Sequence, residues 1–279
     1  MAVPTFVVIG AQRAGTTSLF EYLRQHPDVF IPKMKELSFF VDGPRWDLGW
    51  SWYEARFADA GAAAHLGDVS PNYAMFPVGT NAAEHLAERA PSARLIYSLR
   101  HPIERMISAY WTLRSQGLER DPIDTALRRD LRYLAASMYA LQLGRYLDRF
   151  PREQILVTLF EELETDPGRV VDRVLEFLGL DPGWRPASLG VAHNAAGTLP
   201  REPTPAALSA LRMAQRHGWL RWQERDLLRW RLTSRPLSRA EAPRPETLRA
   251  LREMLVPDLE QLCDLLGWTV DPWGLLEPR

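Results

Sequence analysis

The chain has 279 residues, 46% of them hydrophobic and 25% charged, an ordinary globular composition with enough length for one sizeable core. A net charge of −1 excludes a general polyanion binder such as a nucleic-acid protein, which needs a strongly basic face, and the apolar runs fall short of the roughly 18 residues that a membrane span requires. Cys263 has no second cysteine to pair with, so an internal disulfide is excluded, and its place among leucines in a helical pattern reads as a buried structural thiol.

Met1-Ala2-Val3-Pro4 leads directly into a strand pattern, without the basic and apolar regions of a secretory leader, so the expectation is a cytoplasmic protein. Phe6-Val7-Val8-Ile9 is a continuous apolar run ending at Gly10, which suits a strand buried on both faces of a parallel sheet. After a loop of small residues, Thr16 to His26 reads as a helix with Leu19, Phe20 and Leu23 on one face, stopped by Pro27. Arg94 to Leu99 reads as a second strand, and its helix opens at Pro102, a residue suited to a first turn. Ile155 to Phe160 reads as a third. The helix after it carries Val170, Val171, Val174, Leu175 and Leu178 on one face and is capped by Gly179.

Strands alternating with helices predict an α/β fold, a mostly parallel sheet flanked by helices with right-handed crossovers. Residues 200–244, rich in Arg, Trp and Pro, show no strand signal. They read as a helical insertion or acceptor-side lid within a single domain spanning 1–279. The last helix carries Leu248, Leu251, Leu255, Leu259, Leu262 and Leu266, with Pro257 expected to kink or split it and Gly267 to end it. The fold class is thus P-loop-like, with a helical C-terminal appendage.

The first strand–helix junction is Gly10-Ala11-Gln12-Arg13-Ala14-Gly15-Thr16-Thr17-Ser18. Small residues let a backbone approach an anion closely, and a helix N-terminus offers free N–H groups and the positive end of a dipole. Thr16, Thr17 and Ser18 add hydroxyls, and Arg13 adds a permanent charge. The spacing is that of a nucleotide-binding P-loop, but Thr16 stands where a kinase or ATPase needs its lysine. The second junction, Leu99-Arg100-His101-Pro102-Ile103-Glu104-Arg105-Met106-Ile107-Ser108, pairs an arginine at a strand end with a hydroxyl eight residues on. An arginine fork and a hydroxyl on one phosphate make a discriminating site.

Together these stretches resemble the sulfotransferases that use 3′-phosphoadenosine 5′-phosphosulfate (PAPS), especially the heparan-sulfate-type branch and its bacterial relatives. Gly144-Arg145-Tyr146, Phe177-Leu178-Gly179-Leu180 and Leu265-Leu266-Gly267 extend the resemblance over most of 5–180 and 245–273. It implies that Arg13, Ala14, Gly15, Thr16, Thr17 and Ser18 cradle the 5′-phosphosulfate, and that Arg100 and Ser108 bind the 3′-phosphate. Ser238-Arg239-Ala240 corresponds to a basic turn of the heparan type, which makes Arg239 a further phosphate ligand. The resemblance also implies a catalytic role for Arg13 at the sulfate and the leaving oxygen, where relatives usually carry Lys; here charge is kept while the compact ammonium that contacts the bridging oxygen is replaced by a larger fork. No metal is implied.

The resemblance also points to Glu36, in Lys33-Met34-Lys35-Glu36-Leu37-Ser38-Phe39-Phe40, as the general base. Lys33 and Lys35 are the only lysines among 34 basic residues. The arginine bias fits a GC-rich bacterial genome. The two lysines flank Glu36, positioned to contact an acidic acceptor or to pair with its carboxylate. Relatives commonly have His where this chain has Ser38, and Lys where it has Val69, so the heparan-specific support groups are absent. Asp68, in Gly67-Asp68-Val69-Ser70-Pro71-Asn72-Tyr73, is the rival base, and Ser38, Asn72 and Tyr73 are expected along the acceptor cleft.

The activity implied is transfer of a sulfuryl group from PAPS to a hydroxyl, or less readily an amine, of a small-molecule or glycan acceptor. The alternatives are a catalytically weak protein that binds PAPS or its product, adenosine 3′,5′-bisphosphate (PAP), and a small-molecule kinase.

Overall fold

The computed structural model describes residues 3–79, 81–191, 201–203, 234–236 and 242–276. Five strands, β1 (Phe6–Gly10), β2 (Val29–Phe30), β3 (His65–Val69), β4 (Arg94–Leu99) and β5 (Ile155–Leu159), form one sheet in the order β2-β3-β1-β4-β5. Every pairing in it is parallel. The apolar runs at β1, β4 and β5 occupy the centre and one edge, as continuous hydrophobicity demands of strands covered on both faces.

Side chains alternate between two cores. Val7 and Ile9 of β1 and Leu95, Tyr97 and Leu99 of β4 enter one core. The helices contributing to it include α3 (Ala82–Arg89), α4 (Pro102–Ser115), α7 (Tyr139–Leu147) and α10 (Pro245–Leu266). Phe6, Val8 and Ile96 enter the other, against α1 (Thr16–Leu23) and α9 (Pro167–Leu178). Each large apolar side chain fully buried this way contributes about 1.5–3 kcal/mol. The remaining α-helices among the described residues are α2 (Trp50–Glu54), α5 (Ile123–Arg129), α6 (Leu131–Ala135) and α8 (Phe160–Thr165).

Several expectations are corrected. The first helix ends at Leu23, before His26; the ring nitrogen Nδ1 of His26 accepts from the amide of Asp28, shaping the turn into β2. Phe160 begins α8 instead of ending β5. Strand β3 has no hydrophobic run. Gly67 and Asp68 are poor strand formers, and Gly67 is required because a Cβ there would lie 2.2 Å from the Phe6 ring.

Pro257 does not split α10, which runs unbroken from Pro245 to Leu266. Asp258, the next residue, accepts from the amides of Ala140 (3.0 Å) and Leu141 (2.9 Å), pinning the helix to the start of α7 across the proline. Gly267 ends α10 at φ 66°. Within 200–244, two strands absent from the sequence reading, β6 (Arg201–Pro203) and β7 (Ser234–Pro236), pair antiparallel. Neither Arg-Glu-Pro nor Ser-Arg-Pro carries a β-branched pattern that would signal one. Residues 200, 204–233 and 237–241 of the expected insertion, Arg239 among them, lie outside the described residues. Among the described residues no helix is long and apolar enough to cross a membrane.

Candidate active site

The carboxyl ends of β1 and β4, adjacent in the sheet, bring the two phosphate motifs together. The loop after β1 turns through two left-handed residues, Arg13 (φ 72°) and Gly15 (φ 80°). Gly15 is required twice over: its backbone disfavours a side chain, and a Cβ would lie 2.6 Å from Leu163 and 2.9 Å from Phe160 of α8. Buried Ser98 of β4 donates to the carbonyl of Ala14 at 2.6 Å, holding the loop against the sheet. No side chain caps α1, so its first-turn amides face the loop. Thr16 and Ser18 are buried in that turn.

Arg13 Nε donates to Ser108 Oγ at 3.0 Å, and Arg100 Nη1 donates to the carbonyl of Arg13 at 3.3 Å. The arginine of the first motif therefore touches the hydroxyl of the second. Phe160 contacts both: it packs on Gly15, and the Arg100 guanidinium lies 4.7 Å from its ring centroid. Tyr139 fixes the strand end by donating to the Arg100 carbonyl at 2.7 Å.

A third guanidinium, fully buried Arg105, donates to Ser137 Oγ at 2.6 Å, to the Tyr133 carbonyl and, at 3.5 Å, to the carbonyl of Gln12 in the phosphate loop. Burial lowers the pKa of Arg13, and the charge of Arg100 lowers it further, with Glu36 opposing. Burial likewise lowers that of Arg105, with Arg100 and Arg13 adding to the effect. Concentrated positive charge of this kind is relieved by a bound anion.

Glu36 stands across the loop. Its side chain is 48% exposed, and Lys35 Nζ lies 3.4 Å from its carboxylate. Lys35 also donates to Thr17 Oγ1 of α1 at 2.6 Å. Lys33 is exposed. Glu36 and Ser38 both adopt left-handed backbone, φ 60° and 49°, a conformation that persists only where the surroundings over-determine it. Here the Glu36 amide donates to the Val69 carbonyl at 3.2 Å, and Arg45 donates to the carbonyls of Glu36 and Leu37.

The strongest restraint comes from Asp68. This fully buried carboxylate accepts from Ser70 Oγ (2.6 Å), Tyr73 OH (2.8 Å) and Tyr53 OH (3.2 Å). Ser70 and Tyr73 in turn accept from the amides of Ser38 and Phe39, each at 3.0 Å. Burial pushes the Asp68 pKa up to about 6 against the pull of those three hydroxyls, and burial beside Asp68 raises both tyrosines well above their usual range. Asp68 is thus enclosed beneath the Glu36 segment.

Tyr73, expected along the acceptor cleft, is a correction: it is buried, with its hydroxyl bound to Asp68 and the Phe39 amide. Ser38 and Asn72 are half-buried neighbours, Ser38 Oγ donating to Asn72 Oδ1 at 3.1 Å. His101 caps α4 by accepting from the Glu104 amide at 3.4 Å. His85 stacks on Trp46, with ring centroids 3.7 Å apart.

Arg105, Phe160 and Arg45 were not singled out from the sequence. Arg105 had a signal, since no acid stands three or four residues from it to pair with on a helix face. Phe160 and Arg45 had none, because their roles arise from chain packing.

A model of the sulfotransferase family matches residues 45–186, which takes in Arg100 and Ser108. Bifunctional heparan sulfate N-deacetylase/N-sulfotransferase 4 of Mus musculus is 30% identical over 204 residues, 65% of this chain and 23% of that protein. Heparan sulfate glucosamine 3-O-sulfotransferase 6 of Mus musculus is 30% identical over 189 residues, 63% of this chain and 52% of that protein. The chain thus spans under a quarter of the length of the first of these relatives and about half of the second. The crystal structure of a sulfotransferase from Alicyclobacillus acidocaldarius superposes with a TM-score of 0.73 at 25% identity, covering 98% of this chain and 99% of that one. With half its length matched by the family model and its whole fold shared with that structure, this chain belongs to the sulfotransferase family.

Proposed function

We propose that the protein transfers a sulfuryl group from PAPS to a hydroxyl, or less readily an amine, of a small-molecule or glycan acceptor. The observation that carries this reading is the meeting of Arg13, Arg100 and Ser108 where β1 and β4 end, beside the uncapped start of α1. Two phosphate-binding motifs in contact suit a nucleotide that carries phosphate at two places. The absence of a lysine at Thr16 disfavours the kinase alternative.

In this reading the loop 13–18 and the α1 N-terminus hold the 5′-phosphosulfate, while Arg100 and Ser108 hold the 3′-phosphate. Glu36, exposed and steered by the Asp68 network, accepts the acceptor's proton. The acceptor oxygen forms its bond to sulfur as the bond from sulfur to the 5′-phosphate oxygen breaks. The electron pair leaves on that phosphate, giving PAP. Ser38 and Asn72 line the acceptor side. The heparan sulfate named in two relatives makes glycans one acceptor class to test.

The test is incubation with sulfur-labelled PAPS and a panel of phenols, alcohols, amines and oligosaccharides. Labelled product and PAP should form in equal amounts without ATP. PAP binding with no transfer to any acceptor would reduce the protein to a nucleotide binder. Phosphoryl transfer from ATP would make it a kinase.

A further inference from the structure

We propose that Lys35, instead of Arg13, is the cation that serves the transferring group itself. The proposal rests on the PAPS reading and assigns a catalytic contact within it.

Arg13 is committed elsewhere. Its Nε donates to Ser108 on α4 at 3.0 Å, and its carbonyl receives Arg100 at 3.3 Å. Both contacts draw it toward the second motif, where the 3′-phosphate is assigned. Lys35 contacts the start of α1 instead. Its ammonium donates to Thr17 Oγ1 at 2.6 Å, in the first turn of α1, and lies 3.4 Å from Glu36 Oε1. It therefore sits between the helix end that receives the 5′-phosphosulfate and the carboxylate that receives the acceptor's proton. A sulfuryl group in transit must pass between those two points.

An ammonium has three donors on a compact charge. One is placed on Thr17, a second faces Glu36, and the third is left for an oxygen of the sulfuryl group. In transit that group is held only loosely by the leaving phosphate and the acceptor, so a cation fixing its oxygens on the line from Thr17 to Glu36 favours the transition state over the bound donor. This chain uses arginine for 32 of its 34 basic residues. A wide guanidinium would not fit between a threonine hydroxyl and a carboxylate as a point charge does, which gives a physical reason for lysine here.

The experiment is calorimetry of PAPS and of PAP binding, without acceptor, on the wild type, Lys35→Met and Arg13→Ala, together with the rate of PAP release to water. PAP lacks the sulfuryl group and so reports the rest of the site. Lys35→Met should weaken PAPS about tenfold or more and PAP by less than about threefold, the difference expected from one charge-assisted contact. It should also slow PAP release at least tenfold, with Lys35→Arg recovering part of that loss. Arg13→Ala should weaken both nucleotides alike. Equal loss of PAPS and PAP in Lys35→Met, or loss of neither, overturns the assignment while leaving the PAPS reading intact. A wild type that binds neither nucleotide overturns both.

Discussion

Arg13 and Ser108 lie 95 residues apart in sequence, yet Nε of one is 3.0 Å from Oγ of the other. The contact joins the loop after β1 to the helix after β4, so the two phosphate motifs are one surface. A ligand with a single phosphate can use only part of it. PAP should therefore bind more tightly than AMP, by about 10- to 150-fold for a contact of about 1.5–3 kcal/mol. Arg100→Ala should remove most of that preference. Equal affinities for PAP and AMP in calorimetry would sink the assignment of Arg100 and Ser108 to the 3′-phosphate.

Glu36 and Asp68 are the two candidate bases, and the structure separates them by access. Glu36→Gln keeps size and shape but removes the basic oxygen. Its kcat should fall about 10²- to 10⁴-fold, the usual contribution of a general base, while PAP affinity stays within about threefold. Asp68 is sealed beneath Ser70, Tyr73 and Tyr53, so a folded Asp68→Asn should keep kcat within about tenfold of wild type. The reverse pattern would hand the base to Asp68.

Gly15 is the point where the phosphate loop meets α8. Gly15→Ala combines a left-handed backbone, costing about 1–2 kcal/mol for an L side chain, with a Cβ 2.6 Å from Leu163 and 2.9 Å from Phe160. Overpacking of this kind adds about 1–3 kcal/mol. Urea unfolding should show a loss of about 2–5 kcal/mol. The displaced Phe160 should also let Arg100 move, weakening PAP more than AMP. An unchanged unfolding midpoint would show that the loop relaxes at no cost.

What the sequence made legible was whatever local pattern dictates. Phe6–Gly10 and Arg94–Leu99 are apolar enough to be strands in any α/β context, and both phosphate motifs follow from what stands at the ends of those strands. Glu36, Ser38, Lys33 and Lys35 were readable as one segment. What eluded reading was what distant residues impose. Strand β3 exists because Gly67 fits over Phe6 and its backbone pairs with β1, neither of which leaves a hydrophobic run. Tyr73 looked like a cleft residue because an aromatic beside Asn72 is ambiguous. Only the position of Asp68 shows that its hydroxyl turns inward. Phe160 is an ordinary strand-end aromatic until the fold brings Gly15 and Arg100 to its ring.

Asp68 also makes a prediction about pH. Burial raises its pKa from 3.8 to about 6 in the folded protein, whereas the unfolded chain titrates near the ordinary value. Between those two values the folded state holds the proton more firmly than the unfolded state. Stability from this group therefore falls as pH rises from about 4 to about 6, and is level above that. At 1.36 kcal/mol per pH unit the loss is on the order of 3 kcal/mol. Asp258, raised by burial, acts in the same sense, whereas Asp124 and Asp130 act in the opposite one, lowered by hydrogen bonds and by neighbouring arginines. The raw stability curve mixes these effects, but the difference between wild type and Asp68→Asn isolates one group. Asparagine stays neutral throughout, so its stability relative to wild type should improve by up to about 3 kcal/mol between pH 4 and pH 7. Its absolute stability should still be lower where the lost acceptor leaves Tyr53 or Tyr73 without a partner, at about 1–3 kcal/mol per buried hydroxyl. Urea unfolding of both proteins at several pH values in that window measures the difference. A difference that does not change with pH would mean that Asp68 is not held with a raised pKa. The hydrogen bonds from Ser70, Tyr73 and Tyr53 would then fully offset burial in holding its charge.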